Sequence, residues 1–135
     1  MAIIEWGITL KVGIEVVDDQ HKKLIGLINQ LYDAMLAGRG DQVLGEILTE
    51  LVAYTVYHFK TEEDLFRQNS YREAPEHIRE HAELVKKVSE FKAAFDGGNR
   101  ALTVDMMTFL KDWLIKHIMG SDKRYAPFLN SKGIR

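Results

Sequence analysis

Apolar residues recur at three- and four-residue steps through four stretches of the chain. The first holds Leu24, Ile25, Ile28, Leu31, Tyr32 and Met35, and the second Leu44, Ile47, Leu48, Leu51, Thr55, Phe59, Leu65 and Phe66. The third holds Leu84, Val88, Phe91 and Phe95, and the fourth Leu102, Met106, Phe109, Leu110, Trp113 and Leu114. That period marks amphipathic α-helices. Gly38-Arg39-Gly40 and Gly97-Gly98-Asn99 break the pattern, and Pro75 suits the first turn of a helix, while Pro127 falls where one should stop. Helices are therefore predicted over about 19–37, 41–68, 75–95 and 101–120 or beyond, followed by a C-terminal tail. Asp18 stands where it would cap the first. Upstream, Ile8, Leu10, Val12, Ile14 and Val16 alternate with other residues, yet no partner strand follows. Residues 1–17 are expected to be an extended arm lying across the helices, pinned by Trp6. Short connections between four such helices predict an all-α fold: an antiparallel up-down-up-down four-helix bundle with an extended N-terminal arm, one domain over 1–135.

All five histidines, His21, His58, His77, His81 and His117, fall on these apolar faces. Glu62 lies four residues after His58, inside the apolar pattern, while Glu63 and Asp64 are read as pointing away. Asp122 lies five after His117. One such histidine is usually a satisfied core residue. Five of five, with two carboxylates, are too costly to bury unless something binds them, and a metal centre does so. In an up-down-up-down bundle the start of the first helix, the end of the second, the start of the third and the end of the fourth meet at one level.

Residues four apart differ by about 40° around a helix, so His58 with Glu62, and His77 with His81, can each reach one centre. The step from His117 to Asp122 turns by about 140° on a regular α-helix. The two converge only through a π-type turn or a break, predicted near Gly120. On an unbroken helix Asp122 would start a new turn and bind nothing.

Composition narrows the chemistry. The chain has no cysteine, which excludes disulfides, thiolate zinc and iron–sulfur clusters, so any metal takes nitrogen and oxygen ligands. A net charge of −2 with interspersed signs offers no basic stripe for nucleic acid. No apolar run is long enough for membrane insertion, and the N-terminus lacks a secretory pattern, so the cytoplasm is the expected location. No long exposed apolar stripe is evident, which favours a monomer.

Five imidazoles and two carboxylates exceed the about four ligands of a zinc ion and suit two octahedral first-row ions, each carboxylate bridging both. Five nitrogens and four oxygens fill nine of about twelve positions, and an oxo or hydroxo bridge fills one on each ion. One position stays open for a small ligand. An odd histidine count makes the pair asymmetric, three against two.

The order His21, then His58-x-x-x-Glu62, then His77-x-x-x-His81, then His117-x-x-x-x-Asp122 resembles the hemerythrin family, in its single-domain bacterial form, over essentially the whole chain. The resemblance implies two iron ions in a non-haem, oxo- or hydroxo-bridged pair that binds O₂ reversibly. It implies His77, His81 and His117 on one iron, His21 and His58 on the other, which keeps the open position, and Glu62 and Asp122 as bridges. The family lines its O₂ pocket with aromatic and aliphatic side chains. Candidates are Ile25, one turn from His21, Phe59, beside His58, and Trp113 and Leu114, one turn before His117.

The expected role is oxygen transport, storage or local delivery, with a downstream O₂-using enzyme as a possible recipient, rather than enzymatic turnover. The alternatives are an O₂ or redox sensor, or a di-iron enzyme such as a peroxidase or nitric oxide reductase. Ferritin-like oxidases use Glu-x-x-His pairs; here Asp18-x-x-His21 is the nearest, without a repeat. Met106-Met107 reads as core filling, and Glu76, Arg79 and Glu80 as solvated surface. Tyr32, Tyr54, Tyr57, Tyr71 and Tyr125 receive no assigned role.

Overall fold

Helix boundaries in the computed structural model, which describes residues 2–98 and 104–135, follow the local chemistry. The helices are α1 (Glu15–Leu36), α2 (Asp41–Asn69), α3 (Ala74–Asp96) and α4 (Val104–His117). A π-helical turn, Ile118–Asp122, joins α4 to α5 (Lys123–Ser131). The chain leaves α1 through Gly38, whose φ of 68° is the left-handed region glycine adopts freely. The amides of Gly38 and Arg39 donate there to the carbonyls of Met35 (3.2 Å) and Ala34 (3.0 Å), closing the helix end. Pro75 sits in the first turn of α3, where its missing N–H costs nothing.

These elements form the expected all-α, antiparallel four-helix bundle. α1 packs on α2, α2 on α3, and α1 on α4. Side chains of α3 and α4 meet at Phe91 and Phe109, whose rings lie 6.2 Å apart edge to face. One continuous core runs between the helices, with Leu31, Leu48, Leu51, Val88, Met107 and Ile118 each almost fully buried.

Four local expectations are corrected. First, α1 begins at Glu15, ahead of residue 19, and Asp18 is not its cap. Asp18 is buried inside the helix, and its carboxylate accepts the amides of Val12 (2.7 Å) and Gly13 (3.1 Å), tying down the preceding segment. Gly13 makes the bend into the helix with a φ of 98°.

Second, the arm is not extended throughout. Residues Ile8–Leu10 form a 3₁₀ turn; in the arm Ile8 is exposed while Ile4, Leu10, Val12 and Ile14 are buried, and Val16, already in the first turn of α1, is exposed. Trp6 is half-buried and packs against the core. A second, polar pin is Asn29 of α1, whose side-chain oxygen accepts the amides of Ile3 and Ile4 (3.0 Å each) while its NH₂ donates to the Ile4 carbonyl (2.9 Å).

Third, Met107 rather than Met106 is fully buried on α4, and Met106 is half-buried. The predicted start of that helix at about 101, with Leu102, lies outside the described residues. Fourth, the expected C-terminal tail is helical, because Tyr125, Ala126 and Leu129 return one apolar face to the core. Pro127 therefore lies within α5 instead of ending a helix.

Removing the Asn29 side chain tests the arm. Asn29→Ala should lower unfolding stability by about 1 kcal/mol or somewhat more in denaturant titrations, since it removes the partners of three part-buried backbone groups. Amide exchange at Ile3 and Ile4 should rise with it.

Candidate metal centre

The bundle places His21 on α1, His58 and Glu62 on α2, His77 and His81 on α3, and His117 at the end of α4. The π turn carries Asp122. Its N–H groups reach back five residues rather than four, so a five-residue step comes round to the same face. The bend predicted near Gly120 is this turn.

All seven side chains are buried, none more than 4% exposed. They form two overlapping groups: Glu62, His77, His81, His117 and Asp122, and His21, His58, Glu62 and Asp122. Within each, one nitrogen or oxygen per residue lies within 4.8 Å of all the others. The groups share both carboxylates and split the histidines three to two. Asp122 Oδ1 lies 3.0 Å from His77 Nε2 and 3.1 Å from His117 Nε2, while Oδ2 lies 3.0 Å from His21 Nε2. Glu62 Oε1 lies 3.1 Å from His81 Nε2 and 3.4 Å from His58 Nε2. Asp122 and Glu62 thus each reach histidines of both groups.

The inward atoms lack hydrogen-bond partners. Nε2 of His21, His77, His81 and His117, Oε1 of Glu62 and both oxygens of Asp122 are buried and unsatisfied. Such atoms are costly in a core, and their convergence is what a bound cation would resolve. Imidazole and carboxylate donors together suit first-row divalent ions.

Outward, several of the same residues are firmly held. His58 Nδ1 donates to Gln20 Oε1 (2.7 Å), and Gln20 donates to Thr61 Oγ1 (3.2 Å). His81 Nδ1 donates to the Glu63 carboxylate (2.8 Å) and His117 Nδ1 to Glu80 (2.9 Å). Ser121 donates to the same Glu80 oxygen (2.7 Å). These bonds fix the tautomer and leave Nε2 facing the centre. The hydroxyl of fully buried Tyr125 donates to the outer oxygen of Glu62.

Two sequence readings fail here. Glu63 does not point away like Asp64, and Glu80 is not plain surface; both are half-buried partners of candidate ligands. Glu76 and Arg79 are exposed, as expected. Gln20 was also missed. Its signal was a polar residue adjoining His21, on a helix edge that meets α2.

Electrostatics without metal divides the histidines. Burial pushes His58 down to about 4 and His81 down to about 3. Burial opposes protonation of His117 too, but the Asp122 carboxylate beside it outweighs that and raises it to about 9. Burial and the neighbouring Asp122 charge raise Glu62, whereas His117, His21 and His77 hold Asp122 well below the usual carboxylate range despite its burial. Metal ligands must be deprotonated, so cation binding would displace the proton of His117.

Apolar groups wall the cluster. Phe59 stacks on His81 with ring centres 3.8 Å apart, and Trp113 stacks on His117 at 4.5 Å. A small apolar cavity lies one helical turn from His21, His58, His81 and His117, lined by Leu24, Thr55, Leu84 and Leu114 with Ile28, Leu51, Val88 and Leu110. Of the four residues proposed for an O₂ pocket only Leu114 lines it. Phe59 and Trp113 cover imidazole faces instead, and Ile25 packs in the core.

A helical bundle with so many inward nitrogen and oxygen donors defines a metal-binding four-helix-bundle protein. Residues 12–129 match the hemerythrin HHE cation binding domain. The chain belongs to the hemerythrin family. It is 36% identical over 126 residues to bacteriohemerythrin of Stenotrophomonas maltophilia, covering 93% of this chain and 81% of that one. It is 32% identical over 132 residues to bacteriohemerythrin of Methylococcus capsulatus, covering 97% and 100%. A crystal structure of wild-type hemerythrin superposes with a TM-score of 0.88 at 31% identity, over 93% of this chain and 97% of that one. No helix among the described residues is long and apolar enough to cross a membrane.

Replacing His117 or Glu62 by Ala should lower the metal content of reconstituted protein relative to the unaltered chain, measured by elemental analysis. Unchanged metal content in both variants would refute the assignment of these residues as ligands. Stability of the metal-free protein should peak near pH 6.5. Above that value the unfolded chain loses the proton that folded His117 keeps to about 9, so stability falls as pH rises. Below it the unfolded chain protonates histidines that folded His58 and His81 keep neutral, so stability falls as pH drops toward about 4 and about 3. Denaturant titrations across pH 5–9 measure both limbs.

Proposed function

We propose that this protein binds O₂ reversibly at a non-haem di-iron centre and serves to carry, store or locally deliver oxygen. His77, His81 and His117 would hold one iron, His21 and His58 the other, and Glu62 and Asp122 would bridge them. The observation that carries this reading is the three-to-two division of histidines between two groups sharing both carboxylates. The position with two histidines is one ligand short, and a small exogenous molecule would bind there.

Ferrous ions would supply the electrons that hold O₂. The residues supply the rest. Neutral imidazoles add no charge, and two carboxylates offset half of the about +4 brought by two divalent ions. A site this rich in imidazole stabilises highly oxidised metal less well than a carboxylate-rich one, which favours binding over oxidation chemistry. Tyr125 holds the outer oxygen of Glu62 and so fixes the bridge. Phe59 and Trp113 shield imidazole faces from water. The small cavity one turn from the cluster is lined almost wholly by aliphatic side chains, a lining that favours an uncharged molecule over an ion.

One continuous core and the family match over residues 12–129 support a single domain. Val56 and Ile78, both exposed, line one groove between α2 and α3, while Ile8, Leu36, Val104 and Met119 each lie on a different element; a monomer is the proposed state. The cytoplasm is the proposed location.

The decisive measurement loads two ferrous ions per chain anaerobically, admits O₂ and then removes it. A coloured adduct that forms and fades with full recovery of the ferrous protein is expected. Fading without that recovery would rule out a carrier. Sustained turnover of peroxide or nitric oxide with a reductant would identify an enzyme instead.

A further inference from the structure

The two histidine groups are held by outer partners of different charge. In the three-histidine group, His81 and His117 each donate Nδ1–H to a carboxylate, Glu63 at 2.8 Å and Glu80 at 2.9 Å. In the two-histidine group, His58 donates to the neutral amide of Gln20 at 2.7 Å, and His21 Nδ1 is buried without a partner. The bridging candidates Glu62 and Asp122 belong to both groups, so they do not distinguish them. The difference lies in the outer partners and in the histidine count.

A carboxylate acceptor draws on the imidazole proton and makes the opposite nitrogen a stronger donor, whereas an amide acceptor does so less. The arrangement is cheap to maintain. The side chains of Glu63 and Glu80 are 30% and 33% exposed, so their charges keep contact with water. Glu80 is fixed further by Ser121 and Gln20 by Thr61, so neither partner is free to swing away.

We propose that Glu63 and Glu80 on one side, and Gln20 on the other, are positioning residues that make the two metal positions inequivalent. The three-histidine position takes up a divalent ion first and, with iron, is oxidised at the lower potential. The two-histidine position binds more weakly and holds the ion with the open coordination position. This inference rests on the two-metal reading of the site and adds an order to it.

Cobalt(II) titration of the metal-free protein, followed by visible spectra and calorimetry, tests the order. Two steps are expected, the first tighter by about tenfold or more. Glu63→Gln combined with Glu80→Gln should weaken the first step by about 10–100-fold and spare the second. Gln20→Glu should tighten the second step instead. A purely structural role would weaken both steps together, and Gln20→Glu with them. In the iron-loaded protein, the two one-electron midpoint potentials should move closer together in both variants. The replacements are isosteric, and circular dichroism reports whether the bundle is retained. Two equal steps in the unaltered protein, equal shifts of both steps in the double variant, or an unmoved second step in Gln20→Glu would each overturn the inference alone. Uptake of a single equivalent would overturn the two-metal reading and this inference with it.

Discussion

Buried polar atoms without partners are among the costliest features a core can contain. This bundle gathers several of them, from four helices and a π turn, into one volume. The energetic demand runs outward from there. Three of the five imidazoles are held against rotation from outside, His58 by Gln20, His81 by Glu63 and His117 by Glu80. Ring stacking by Phe59 and Trp113 restrains the same imidazoles from their faces. The apolar core then has to be continuous enough to compensate for a polar centre that contributes nothing to packing by itself.

The N-terminal segment belongs to the same economy. Its apolar residues, Ile4, Leu10, Val12 and Ile14, are buried against the helices rather than left in water. Asn29 and Asp18 hold it through backbone amides, at either end of the segment. Both are polar residues on α1, and Asp18 lies one turn before His21. The helix that carries a candidate ligand therefore also anchors the chain leading into it.

Much of this was legible in the sequence, for identifiable reasons. Helical periodicity located the four long helices, and spacings of four placed His58 with Glu62 and His77 with His81. The five-residue step from His117, with Gly120 inside it, announced an irregular turn because a regular helix has no other way to serve both ends. Partners at the shoulder of a helix were not legible. Glu63 and Glu80 are charged and part-exposed, and periodicity cannot tell such a residue from one facing only water. The start of α1 was misplaced because Asp18 has the chemistry of a cap but spends it on the segment before the helix. Spacing tells which way a side chain points and not how closely its neighbours fill the space, so the cavities beside the cluster, lined by Leu114, by Phe59 and by Trp113, could not be drawn from it.

Gly120 shows how the irregular turn is kept. A Cβ placed there would meet nothing within 4 Å, and its backbone is not left-handed, so neither crowding nor handedness demands glycine. What glycine brings is indifference: it is a poor builder of regular α-helix, by about 1 kcal/mol relative to alanine. Two windings compete for this stretch, one that continues α4 smoothly and one that brings Asp122 inward. A residue fond of the ordinary winding would favour the first and turn the carboxylate away. Local regularity and convergence on the centre are opposed at this single position, and the chain resolves the conflict by using a residue that does not defend the helix.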